Sequence, residues 1–155
     1  MKNYEIEDIK TYMNELLVND KYDSFYLYEI RLKTSLDYYI SGKINKEFFD
    51  TDDEMADVED YVNWGEVKQT IFDLIKGKRL PISFKIILMF NRDNIERLVE
   101  MNNIPINPED VSNLSMNIYY EGGKLLVPTG TSLKVFTLDK TLEHIWDDTV
   151  GKYYI

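Results

Sequence analysis

The sequence predicts a single α+β domain, residues 1–155, with a mainly antiparallel sheet of about six strands, about four helices and the order αββ-αβα-βββα. Three observations lead there. Aromatic and β-branched runs come in pairs separated by turn residues, as hairpin-linked strands require. The segments between them space their apolar residues three and four apart. The strict strand–helix alternation of a doubly wound parallel sheet is missing. A chain of this length buries roughly 70% of its unfolded surface, enough for a core.

The elements follow in chain order. Ile6, Ile9, Met13, Leu16 and Leu17 share one face of a helix near residues 4–18, with Glu5, Glu7 and Asp8 at the positive end of its dipole. Residues 24–34 and 36–41 read as paired strands ending at Gly42. Apolar residues of both parities at Phe25-Tyr26-Leu27-Tyr28 suggest cover on both sides there. An acidic loop, residues 50–60, has no hydrophobic periodicity. Asn63 with Glu66 forms a capping-box pattern before the stripe Val67, Ile71, Leu74, Ile75, and Gly77 marks the stop.

Ile82 to Phe90 alternate through a strand whose second parity, Ile87 and Met89, is also apolar, which suits a central strand covered on both faces. A short helix over 92–101 is followed by Pro105 and Pro108. Residues 113–120 and 124–127 form a hairpin about Glu121-Gly122-Gly123, and Thr129-Gly130-Thr131-Ser132 reads as a turn before a strand at 133–138. The final helix is capped by Asp139 and ended by Gly151.

Composition narrows the chemistry. Nine of the 28 carboxylates lie between Glu47 and Val67, where there is no Lys or Arg. Outside that window 19 acidic residues face 18 basic ones, so the net charge of −10 is a local feature on a balanced body. With no Cys, disulfides, thiol nucleophiles and thiolate metal sites are excluded. The charged start, Met1-Lys2-Asn3-Tyr4-Glu5, breaks any signal-peptide pattern, and the apolar run from Leu80 to Phe90 is too short to span a bilayer. A cytoplasmic protein without a membrane partner is expected, and the acidity disfavours nucleic acid.

Few residues invite chemistry. Asp52, Asp53 and Asp57 are candidate oxygen ligands for a hard cation or contacts for a basic partner. The EF-hand spacing fails, because counting from Asp50 Met55 stands where Gly is required and Tyr61 where Glu is. A solvated acidic loop accounts for the segment more simply. His144, the only histidine, has Asp147 and Asp148 within reach on its helix, but it lies opposite Leu142, Ile145, Trp146 and Val150 and is read as exposed. The 129–132 stretch lacks both P-loop and nucleophile-elbow spacing. Lys76, Lys78 and Arg79 complement a helix C-terminus. The pairs Tyr38-Tyr39 and Tyr119-Tyr120 each turn one ring to either side of a strand, and Tyr39 and Tyr120 are taken as candidate outward contacts.

Three segments carry a resemblance: residues 44–50 (Ile-Asn-Lys-Glu-Phe-Phe-Asp), residues 74–85 from Leu74 through Lys76-Gly77-Lys78-Arg79 to Lys85, and residues 129–147 from Thr129 through Phe136-Thr137-Leu138-Asp139 to Trp146-Asp147. Together they are similar to an uncharacterised family of short bacterial proteins, domain of unknown function 5721. The resemblance spans nearly the whole chain and implies a complete single domain. It brings no activity, so no residue role is transferred. The acidic stretch is not part of the resembling pattern.

The functional expectation is a non-catalytic cytoplasmic interaction domain engaging a protein partner or a second copy of itself, with no cofactor. The alternatives are an oxygen-ligand metal-dependent enzyme and a small-ligand-binding protein.

Overall fold

The computed structural model describes residues 1–50 and 60–155. One antiparallel sheet of six strands runs through it, in the order β1-β6-β5-β4-β2-β3. The strands are β1 (Asn3–Ile6), β2 (Tyr26–Lys33), β3 (Asp37–Ser41), β4 (Ser83–Met89), β5 (Val111–Glu121) and β6 (Lys124–Leu133). The helices are α1 (Ile9–Leu17), α2 (Trp64–Ile75), α3 (Arg92–Met101) and α4 (Thr141–Tyr153). The α+β class and the numbers of strands and helices are those expected from the sequence.

Some boundaries differ, each for a local reason. Asp8 takes the N-cap of α1, its carboxylate accepting from the Thr11 amide at 3.2 Å and hydroxyl at 2.8 Å. That releases the residues before it, and Asn3–Ile6 pair with Pro128 to Leu125 as β1. In α2 the capping box does not form, because the Asn63 side chain makes no cap bond. The first amides go to a preceding turn instead: Trp64 N–H to the Phe25 carbonyl at 2.8 Å, Gly65 N–H to that of Asp23 at 3.1 Å.

Thr129–Ser132 is no turn. It lies inside β6, opposite Met116 to Asn113 of β5. The strand expected at 133–138 is absent because Leu133 pairs with Val111, where β5 begins, and after the Lys134 N–H bonds to the Asp110 carbonyl at 2.7 Å no described strand continues the pairing. Phe136 and Leu138 are left 90% and 83% exposed.

Gly151 does not stop α4, which runs on to Tyr153. A side chain at Gly151 would collide with the ring and hydroxyl of Tyr4, whose O–H donates to the Asp147 carbonyl at 2.7 Å. The β5–β6 hairpin is as expected, with Gly122 and Gly123 at φ 61° and 76°, the left-handed values a tight two-residue turn needs.

The core lies on one side of the sheet. Ile30 and Leu32 of β2, Ile86 and Leu88 of β4, and Leu114 and Ile118 of β5 are among its fully buried strand residues. The helices meet them with Leu16, Ile71, Val99, Trp146 and Val150. An aromatic cluster ties the chain ends in, with Phe90 4.8 Å from Trp146 and Phe25 5.0 Å from Tyr154, ring to ring. Both tryptophans also cap backbone: Trp64 Nε1 donates to the Leu16 carbonyl at the end of α1 at 2.7 Å, and Trp146 Nε1 to the Ser115 carbonyl at 3.0 Å. Burial raises the phenols of Tyr12 and Tyr22 well above their ordinary range. No helix among the described residues is long and apolar enough to cross a membrane.

Candidate functional site

The other face of the sheet carries no described helix. The apolar residues of both parities in β2 and β4 suggested two-sided cover, and the structure corrects that. In β2 a bulge between Leu27 and Glu29 resets the parity, so Tyr28 is exposed and not buried under a second layer of described residues. In β4, Ile87 is half-buried, and Met89 is buried outside the core cluster at the end where it lines a cleft with Tyr26 and Tyr28.

On this open face, strand register builds one continuous row. Tyr39 of β3 stands opposite Arg31 of β2, Arg31 opposite Lys85 of β4, Lys85 opposite Tyr119 of β5, and Tyr119 opposite Leu126 of β6. Two cations are therefore flanked by two tyrosines, and three strand steps separate the rings by about 14 Å. The Arg31 guanidinium lies 4.7 Å from the Tyr39 ring centroid, and its Nε donates to Glu29 at 3.1 Å. Lys85 is half-buried, and among the described residues no carboxylate reaches it within ion-pair distance. Tyr119 donates to the Glu121 carboxylate, and that bond raises its phenol above the ordinary range. Arg31, Lys33, Asp37, Tyr39, Lys85 and Tyr119 line a shallow groove of about 390 Å³.

A larger cleft, about 720 Å³, opens at the far end of the sheet among Tyr26, Tyr28, Tyr61, Arg92 and Lys134. The Tyr28 and Tyr61 rings are 5.8 Å apart there, and Lys46 pairs with Asp60 at 3.1 Å. Arg92 donates to the Val111 and Pro108 carbonyls at 2.7 and 2.8 Å, which ties α3 to β5.

Of the residues singled out in the sequence, Tyr39 faces solvent, 58% exposed. Tyr120 instead turns to the helix side and stacks on Phe84 at 5.3 Å, leaving Tyr119 as the ring on the open face. Asp52, Asp53 and Asp57 lie outside the described residues. Among the described residues no three His, Asp or Glu gather to hold a metal ion. His144 is exposed, as its helical position implied.

Asp147, read as a surface partner of His144, is buried and accepts from the Thr129 hydroxyl, while the amino group of Met1 lies 3.5 Å from its other oxygen. Alternation along β6 was the available signal, since Thr129 shares the inward parity of Leu125 and Val127.

A family model, described as a family of unknown function, matches residues 15–155. No curated protein and no solved structure matches the chain. The match takes in everything from the last turn of α1 to the end of α4, including all four strands of the Tyr39–Tyr119 row, and leaves β1 outside. With nearly its whole length inside that model, the chain belongs to the family of unknown function DUF5721.

Proposed function

We propose that this protein is a non-catalytic interaction domain that engages a protein partner through the open face of its sheet. One observation carries the proposal: the α-helices are gathered on one side, and the other side presents, among the described residues, an in-register row of aromatic and cationic residues. Tyr and Arg are the residue types enriched at protein contacts, because they bring large rigid area and directional donors at low entropic cost.

The test is capture from native lysate with three baits. Asn117→Trp places a bulky ring on the open face, and Glu96→Trp places one on the exposed side of α3. A partner retained by wild type and by Glu96→Trp but lost with Asn117→Trp supports the proposal. A partner indifferent to Asn117→Trp refutes it.

A second reading, a small-ligand-binding protein, is favoured by the end cleft, whose 720 Å³ falls in the size range of ligand sites. A thermal-shift panel of nucleotides and divalent cations tests it, since a ligand selective for the native state raises the melting temperature.

A further inference from the structure

We infer that the partner's contact is a short acidic peptide segment, with a carboxylate seated between Arg31 and Lys85 and its neighbours resting against Tyr39 and Tyr119. This deepens the proposal of an open-face docking surface and rests on it. The register is the starting point. Like-charged residues directly opposite each other on neighbouring strands repel, and the backbone positions of Arg31 and Lys85 stand in that relation, with the Arg31 guanidinium leaning to Tyr39 and Glu29. Arg31 has Glu29 beside it, but Lys85 has no carboxylate among the described residues to offset the repulsion. An anion bridging the two positions removes it. At a strand spacing of about 4.8 Å one carboxylate, with two oxygens, accepts from both side chains.

The flanks suit a peptide. Tyr39 is held by the guanidinium beneath it and Tyr119 by Glu121, so both rings are positioned before a partner arrives. The row of about 14 Å matches four or five extended residues. A nucleic acid fits less well. Glu29, Asp37 and Glu121 share the face with Arg31, Lys33 and Lys85, which leaves no run of uncompensated cations to follow a phosphate backbone. The net charge of −10 also repels a long polyanion, whereas a segment with one or two carboxylates feels chiefly the local pair.

The experiment is an NMR titration of the isotope-labelled full chain at low ionic strength. The probes are an oligoglutamate of about eight residues, its glutamine counterpart and an oligo(dT) of similar length. Saturable shifts at the amides of Arg31, Tyr39, Lys85 and Tyr119 are expected with oligoglutamate. The Arg31→Gln/Lys85→Gln double variant should weaken binding about tenfold or more. The inference is overturned by any of four results: no shifts at millimolar peptide, equal response to the glutamine peptide, an unchanged affinity in the double variant, or tighter binding of oligo(dT). Loss of capture by Asn117→Trp alongside a failed titration would reject the acidic ligand and keep the docking face. Capture indifferent to Asn117→Trp would reject the face itself.

Discussion

The two faces of this sheet come from the same strands, one residue out of step, and they have opposite physical characters. On the helix side Phe84, Ile86 and Leu88 of β4 sit among aliphatic and aromatic neighbours, and the buried polar pair Thr129 and Asp147 is hydrogen-bonded. On the open side Ser83, Lys85 and Ile87 of the same strand are only half-buried, and charged groups stand directly across from one another. The first face holds the fold together. The second is less buried and sets Arg31 opposite Lys85 in register, with the Arg31 guanidinium paired to Glu29 and leaning on Tyr39.

The contrast can be broken first where it is strongest. Trp146→Ala removes a fully buried ring and the indole donor to the Ser115 carbonyl, and should cost about 3–5 kcal/mol, read from the urea midpoint. Thr129→Val takes away the hydroxyl that donates to the buried Asp147 carboxylate and should cost about 1–3 kcal/mol in the same assay.

The buried phenols give a pH signature of the same face. Tyr12 and Tyr22 have folded pKa values raised by burial above an unfolded value of about 10. Their contribution to stability is therefore complete below about pH 10 and is lost as pH rises beyond it. In an ultraviolet phenolate titration these two rings should ionise only together with unfolding; free titration of all 12 tyrosines in the folded chain would contradict the burial.

Tyr12→Phe should change stability by no more than about 1 kcal/mol, because its buried hydroxyl meets no good hydrogen-bond geometry and interacts only with the neighbouring Tyr22 phenol. The smallest effect belongs to the open face. Arg31→Gln and Lys85→Gln should each change stability by less than about 0.5 kcal/mol, so any loss of binding in them reports the contact and not the fold.

Much of this architecture was legible residue by residue. The alternation in β4, the double-glycine hairpin and the stripe of α2 each lie within one short stretch, where side-chain period and backbone preference act directly. Tyr120 could also have been placed correctly, since it shares parity with Leu114, Met116 and Ile118, all buried. Other features were beyond local reading. In β1 four residues fit a strand and a helix start equally well, and only pairing with β6 decides between them. Asp147 beside Asp148 looks like a solvated pair until the rotation of α4 turns one of them onto Thr129.

The amino-acid sequence by itself determined the α+β class, the lack of thiol chemistry and the segregation of acidic charge, because composition and short-range periodicity are properties of neighbouring residues. Only the tertiary structure decided that the α-helices gather on one face of the sheet and that Tyr39, Arg31, Lys85 and Tyr119 line up across the other. Register between strands more than fifty residues apart in the chain, as for Arg31 and Lys85, is set by how the whole core packs.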